Sequence, residues 1–235
     1  MTYLKLPTDE TQRLSFFLAM EEYVARSLPP ADYFFMWQVE PSVIFGRNQQ
    51  LESEVNVDYC RQHGIRLYRR KSGGGCVYAD QSNLMLSYIT ADDQVGVVFH
   101  RFINMILLVL RKLGLQATST AHNDVLIDGR KVSGTAFYHL PDRSIVHGTL
   151  LYDTCMEHMS GAITPSREKL QQKGIQSVRQ RITLLKDHVT QSLDEVKTLI
   201  RQTLCSDELT LTPTDVLSIK QLEQQYLQES FIHLI

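Results

Sequence analysis

Three consecutive glycines, Gly73-Gly74-Gly75, follow the cations Arg69-Arg70-Lys71 and Ser72, and lead into Cys76-Val77-Tyr78. Their flanks constrain the fold more than the glycines do. Ile65 to Tyr68 before them and Cys76 to Tyr78 after them are β-prone, so the turn joins strand to strand. A dinucleotide fingerprint needs Gly-x-Gly-x-x-Gly opening a helix, and a Walker loop needs Gly-Lys-Ser/Thr; this stretch is neither. Two readings of the turn stay open. Glycine N–H groups can approach a ligand closely and form an anion-binding nest, with arginine offering a planar fork to phosphate or carboxylate. Equally, the segment is a hairpin beside a solvated basic patch.

Hairpin signals dominate the rest of the chain. Acids at Thr8-Asp9-Glu10 mark a helix start, and Leu14, Phe17, Leu18, Met20 and Val24 give it an apolar stripe that Pro29-Pro30 ends. Tyr33 to Val39 and Ser42 to Gly46 read as strands and as hairpin partners, the second running into Arg47-Asn48-Gln49. Val55 to His63 is a short helix closed by Gly64. Asp80 to Asn83 is a turn before a strand at Leu84 to Ile89. Phe99 to Leu113 is an apolar helix stopped by Gly114, with Phe102, Ile106, Val109, Leu110 and Leu113 as its core stripe. Asn123 to Ile127 and Arg130 to Ala136 are strands joined by Asp128-Gly129, a type I′ signal. Asp142-Arg143 turns the chain into a strand over Ile145 to Tyr152. Residues 169–181 are basic and polar, a surface loop or short helix, and Leu193 to Leu204 and Thr214 to Leu227 are amphipathic helices. The fold class is therefore α/β in the α+β sense: a mixed, largely antiparallel sheet with flanking helices.

The 235 residues form a single domain, 1–235, whose 43% apolar content supports an ample core. A net charge of -2 provides no global field for nucleic acid. No apolar run reaches the length of a membrane span. The four cysteines are far apart and lack Cys-x-x-Cys, which argues against zinc and disulfide frameworks and for a reducing, cytoplasmic setting.

Polar groups collect at strand ends and beside glycines: Arg70 and Ser72, Asn83, Asn123-Asp124, Lys131 with Ser133 and Thr135, and His147 with Thr149. Simple alternation puts Lys131, Ser133 and Thr135 on one strand face, either the wall of an anion-holding pocket or a solvated edge. No nucleophile–base pair stands out. Cys76 and Cys155 sit in apolar contexts and read as buried, inert thiols. A lysine that stabilises charge without a protein nucleophile suits chemistry in which the substrates supply both reacting groups, as in acyl adenylation followed by transfer to an amine.

The segments Arg69 to Tyr78, Asn83, Asn123 to Ala136 and His147 to Leu151, with Pro41 to Gln49 and Lys173 to Arg181 in order, resemble the lipoate–protein ligase A family from about residue 10 to about residue 230. The resemblance implies the biotinyl/lipoyl ligase catalytic fold. It also implies activation of lipoate by ATP to lipoyl-AMP, with Mg²⁺, and transfer to a lysine of an apo lipoyl domain in a 2-oxoacid dehydrogenase E2 subunit or the glycine cleavage H protein. By matching motif, Arg70, Ser72, Gly73, Gly74 and Gly75 line the acyl-adenylate site. Asn83, Asn123 and Asp124 hold the adenylate, with Asp124 on Mg²⁺. Lys131 is the catalytic cation, and Ser133, Gly134, Thr135, His147 and Thr149 complete the wall. Phe45 and Val77 are expected in an apolar tail tunnel, and residues 169–185 resemble the adenylate-binding loop.

Two departures are visible. Tyr138 stands where the family often has arginine, and the small C-terminal domain of many members has no counterpart, so a separate small accessory protein is expected to assist adenylation. The alternatives are an octanoyl or lipoyl transferase working through a cysteine thioester, a transfer-only enzyme, and a binding module without turnover. The glycine and lysine spacing does not match a biotin ligase.

Overall fold

The computed structural model describes residues 1–120, 124–164 and 181–233. In chain order the strands are β1 (Thr2–Lys5), β2 (Tyr33–Trp37), β3 (Ser42–Phe45), β4 (Arg66–Arg69), β5 (Val77–Ala79), β6 (Leu84–Thr90), β7 (Ala117–Ser119), β8 (Asp124–Ile127), β9 (Arg130–Leu140), β10 (Arg143–Leu150) and β11 (Asp207–Thr210). The helices are α1 (Leu14–Ser27), α2 (Leu51–Glu54), α3 (Val57–Gln62), α4 (Val95–Lys112), α5 (Met156–Ala162), α6 (Leu193–Leu204), α7 (Pro213–Tyr226) and α8 (Glu229–Ile232). Eight strands form one sheet in the order β11-β1-β2-β6-β10-β9-β8-β7, and β4-β3-β5 form a second. The large sheet is antiparallel from β2 to β7, with parallel pairs only where β1 joins β2 and β11.

Burial sets the layers. On one face of the large sheet, Phe35, Trp37, Met85, Ile89 and Ile145 pack against α1 and, behind it, α7. On the other face, Phe34, Leu84, Leu86, Tyr88 and Val146 meet the stripe of α4, where Phe102, Ile106, Val109 and Leu110 are buried. The small sheet has its own core of Val43, Phe45, Tyr78, Leu151 and Met159 with α3 and α5. The main alternation signals of the sequence therefore mark real layers.

Several expectations change. The strands β2 and β3 are not hairpin partners: β2 pairs with β1 and β6, while β3 pairs with β4 in parallel and with β5. The short link between them moves the chain from one sheet to the other. The first helix starts at Leu14, not at the acids, and its Arg13 cap makes no side-chain bond; burial of Leu14 to Met20 rather than capping decides where it begins. The helix α4 starts at Val95, one turn before the expected Phe99. The strand β1 and the edge strands β7 and β11 were not foreseen. Asp128 and Gly129 both have positive φ, as a type I′ turn requires.

The most consequential difference lies in β9. Its register against β8 slips between Val125 and Leu126, so that Ser133 faces Val125 while Lys131 faces Leu126. This bulge places an extra residue, Val132, on the α4 side of the sheet. Lys131 consequently shares a face with Gly134, where an added β-carbon would collide with its Nζ and Cε. The expected common face for Lys131, Ser133 and Thr135 does not form.

Because Phe102 is fully buried in the layer beneath the β6–β10–β9 strands, Phe102→Ala should cost about 3–5 kcal/mol of stability. Urea denaturation followed by circular dichroism measures the loss.

Candidate active site

A cavity of about 290 Å³ lies on the α1 face of the large sheet. Strand register explains its floor. Trp37 pairs with Met85, Met85 with Thr149, Thr149 with Gly134, and Gly134 with Asp124. These five residues run in a single row across β2, β6, β10, β9 and β8, and all five line the cavity. At the usual interstrand spacing the row is about 19 Å long. It is apolar at the Trp37 end, where Leu18 of α1 and Ile44 of β3 close over it, and charged at the Asp124 end, where Lys131 and Arg181 stand. Gly134 leaves the space that Lys131 crosses.

The roof is the glycine turn. Gly74, Gly75, Cys76 and Val77 line the cavity. Gly74 has φ of +92°, which only glycine adopts readily, and the carbonyl of Gly74 rests where Gly46 has no side chain. Arg70 is buried and donates to the carbonyls of Gly73 (2.7 and 3.1 Å), Gly75 (2.7 Å) and Ile44 (3.1 Å). Burial pushes its guanidinium down to about 10, still a cation at neutral pH. Arg69 is also buried and donates to the carbonyls of Arg47 and Gln49, each at 2.9 Å, and of Ile232. Lys71 pairs with Glu22 of α1 at 2.6 Å and lies over the Tyr226 ring. These three cations therefore brace the turn from within the protein, which corrects the expectation of an arginine fork held out to an anion.

Charge at the open end comes from a trio. Asp124 lies 2.7 Å from Lys131 Nζ through one oxygen and 2.7 Å from the Arg181 guanidinium through the other. Burial opposes ionisation of Asp124, but Lys131 and Arg181 outweigh it and hold the carboxyl below its ordinary value. Burial lowers Lys131 from the ordinary lysine value, with Asp124 opposing. Arg181 reaches the site because Ile182 bridges Lys131 in parallel and the Thr183 N–H donates to the Lys131 carbonyl at 2.9 Å. Two cations on one carboxylate leave the trio with a net positive charge facing the cavity.

A second polar chain crosses the middle of the site. Trp37 Nε1–H donates to Ser87 Oγ at 2.8 Å, and the Ser87 hydroxyl donates to Glu21 of α1. The other Glu21 oxygen is 2.8 Å from His147 Nδ1, and His147 Nε2 is 2.7 Å from Ser72 Oγ. His147 lines the cavity.

Of the expected site residues, Arg70, Gly74, Gly75, Val77, Asp124, Lys131, Gly134, Thr135, His147 and Thr149 line this one cavity. Ser72 stands behind His147, and Gly73 only receives Arg70. Asn83 is displaced from its expected role: its amide donates to the Tyr78 carbonyl and to Thr154 Oγ1, fixing the β5–β6 turn. Ser133 is buried away from the cavity because of the bulge. Phe45 belongs to the small-sheet core, and Ile44 takes its place on the wall. Asn123 and residues 169–180 lie outside the described residues. Tyr138 packs against the α1-side core. Neither thiol is as expected: Cys155 is exposed and Cys76 is half-buried on the cavity wall. The sequence reading missed Trp37, Met85 and Leu18, took Arg181 only as part of the 169–185 loop, and missed Glu21. The last two had signals, a basic motif and an acid inside an apolar helical stripe.

The family model described as the lipoyl protein ligase A/B catalytic domain matches residues 14–205. The chain belongs to this family. It is 38% identical over 185 residues to lipoate-protein ligase LplJ of Bacillus subtilis, and 37% identical over 215 residues to lipoate–protein ligase 1 of Staphylococcus aureus. Those alignments cover 77% and 87% of this chain but only 54% and 65% of the relatives, so the chain spans less than two thirds of either. Among solved structures, it superposes on a chain of the bi-partite lipoate protein ligase of Thermoplasma acidophilum, from a study that includes its E2 lipoyl domain, with a TM-score of 0.86 and 29% identity, covering 100% and 96% of the two chains. A lipoate-protein ligase A bound with ATP gives a TM-score of 0.85 and 25% identity, covering 100% and 99%. The fold is thus that of the lipoate–protein ligases.

Two outcomes follow from this geometry. An alanine at Gly46 would drive its β-carbon into the Gly74 carbonyl, so Gly46→Ala should lower stability by about 1–3 kcal/mol in a denaturant titration. The lowered Asp124 carboxyl contributes stability above the ordinary carboxylate range and loses it only as pH falls through the lower folded-state value. Carboxyl-carbon NMR should show that depressed midpoint, and Lys131→Ala or Arg181→Ala should move it upward.

Proposed function

We propose that this protein is a lipoate–protein ligase, which activates lipoate with ATP to lipoyl-AMP and passes the lipoyl group to one lysine of an apo lipoyl domain. The observation that carries this reading is the polarity of the cavity. An elongated apolar acid fits the Trp37–Met85 end with its carboxyl at Gly134, where the cations of the Asp124 trio begin. The names of the curated relatives support lipoate as the acid, and the ATP-bound ligase supports the nucleotide.

In the first step a carboxylate oxygen attacks the α-phosphorus and pyrophosphate leaves. Negative charge grows on the phosphoryl oxygens, and Lys131 and Arg181 are positioned to stabilise it. In the second step the acceptor amine attacks the acyl carbonyl, the C–O bond to phosphate breaks and AMP departs. Lys131 then faces both the carbonyl oxygen and the leaving phosphate. Asp124 is the acidic side chain among the described cavity residues, and Mg²⁺ commonly takes one or two carboxylates together with substrate phosphates, so the donor chemistry fits. The metal would supply charge neutralisation at the phosphates, with Asp124 holding it.

The acceptor is a lipoyl domain of the 2-oxoacid dehydrogenase E2 or H-protein class, a reading supported by the archaeal ligase and its E2 lipoyl domain. Likeness to one chain of a bi-partite ligase also favours a small separate protein that assists adenylation. Four free thiols support a reducing, cytoplasmic setting.

The test offers an apo lipoyl domain with lipoate, ATP and Mg²⁺, and separately with preformed lipoyl-AMP, reading the acceptor by mass spectrometry. One lipoyl adduct on one acceptor lysine is expected. Lys131→Ala should slow transfer by about 100-fold or more. Undiminished transfer by that variant, or an acyl thioester on Cys76, would overturn the assignment.

A further inference from the structure

We propose that Tyr226 of α7 is a positioning residue for the glycine turn: with the backbone of α8 it clamps the cavity roof from outside, and the clamp keeps the acyl-adenylate from water. The substrate named here rests on the ligase reading; the clamp itself rests on geometry. Both helices lie beyond residue 205, where the family match ends.

The roof is one layer thick. Gly74 and Gly75 line the cavity on their inner side and are exposed on the outer. The bonds from Arg70 to Gly73 and Gly75 lie within the turn, so they give it shape. Its seat over the sheet depends on what holds its flanks. On the inner side, Ser72 Oγ meets His147, and the Ser72 carbonyl accepts from the Arg47 N–H. On the outer side the C-terminal helices take over. Arg69 Nε–H donates to the Ile232 carbonyl of α8 at 3.0 Å. Lys71 Nζ lies 4.9 Å from the centre of the Tyr226 ring. Lys71 and the Tyr226 hydroxyl both donate to one Glu22 oxygen, at 2.6 and 2.9 Å. Tyr226 and Phe231 meet edge to face at 5.5 Å, which joins the two points of attachment.

Tyr226 is 3% exposed and Glu22 2%. An exposed lysine–carboxylate pair holds little. A covered pair whose carboxylate is fully hydrogen-bonded resists separation, because either partner alone would be left buried without compensation. Covering by Tyr226 is therefore what makes Lys71 an anchor. Burial and Glu22 raise the Tyr226 phenol above its ordinary value, so it remains a donor at neutral pH. The helix α7 has its own seat on α1, where Ser15 donates to Glu223 and Tyr23 to Asp215, so Tyr226 does not depend on Lys71 for its place. What the clamp protects is the acyl carbonyl of lipoyl-AMP, which is open to water as well as to the acceptor amine. Water attack breaks the C–O bond to phosphate and gives lipoate, AMP and a proton, with no acceptor modified. Closed sites prevent such side reactions by excluding water.

Two thiols let the roof be read without turnover. Cys76 follows the turn directly and is half-buried on the cavity wall, while Cys155 is exposed elsewhere and serves as the internal reference. The full chain is alkylated with iodoacetamide and both sites are followed by mass spectrometry. The Cys76 rate relative to Cys155 should rise about tenfold in Tyr226→Leu and in Lys71→Met, and about twofold in Tyr226→Phe, which keeps the ring over Lys71. Lys71→Met changes the turn rather than α7, so the result does not hang on one variant folding. Because both changes act through one contact, the double variant should show no more than the larger single effect. With lipoate, ATP, Mg²⁺ and the lipoyl domain, and its partner if required, AMP formed per lipoyl group transferred should rise in the same order. Loss of folded protein lowers AMP and product together and leaves that ratio unchanged. An unaltered Cys76 rate in Tyr226→Leu and Lys71→Met, additive effects in the double variant, or an opened turn with a wild-type AMP ratio would each overturn the proposal. A wild type that makes no lipoyl-AMP and modifies no acceptor from either substrate, while Cys76 still responds to the variants, would instead sink the ligase reading.

Discussion

The buried guanidinium of Arg70, turned back onto the carbonyls of Gly73, Gly75 and Ile44, is the interaction on which the site depends. A run of three glycines is the most entropically costly stretch a chain can order. Left to itself it would not hold a shape against a flat sheet. Charge-assisted donors, roughly twice as strong as neutral ones, fix it from inside a water-poor environment. Arg69 anchors the same turn to the Gly46–Gln49 loop and the α8 backbone, and Lys71 anchors it to Glu22. Sequence alone leaves these cations as either a ligand-binding fork or a solvated patch. Folding uses them as braces, which leaves the cavity's free positive charge to Lys131 and Arg181.

With the roof fixed, the sheet below supplies direction. One row of five paired residues passes from an indole and a thioether to a threonine, a glycine and a carboxylate. Hydrophobic burial favours one end for a hydrocarbon tail, and the clamped Asp124 marks the other for an anion. The β9 bulge is what joins the two halves, since with regular alternation through Val132 the ammonium of Lys131 would stand on the α4 side, in the apolar core.

Much of this was legible from the chain. The strands of the central hairpins, the type I′ turn at Asp128-Gly129, the α4 stripe and the convergence of Gly74, Lys131, Asp124 and His147 all follow from local pattern and ordered motifs. What was not legible depends on pairing between distant segments. Trp37 and Met85 look like ordinary core residues until β2 is placed beside β6. A bulge is invisible to a period-two reading, so Ser133 was assigned to the wrong face. Asn83 carried a motif but is used to tie a turn to Thr154. Glu21 was not singled out, because its partners come from β6 and β10.

The parallel pairing of β1 with β11 has a bearing on biosynthesis. Thr2 to Lys5 are made well before Asp207 to Thr210, the residues they lie against, about two hundred positions later. Until those late residues emerge from the ribosome, one side of β1 has no partner, and α7 cannot seat on α1. The sheet edge and the outer helical layer thus close only after β11 and α7 have been made. Such long-range pairing slows folding and leaves an unpaired strand edge available to other chains in the interval.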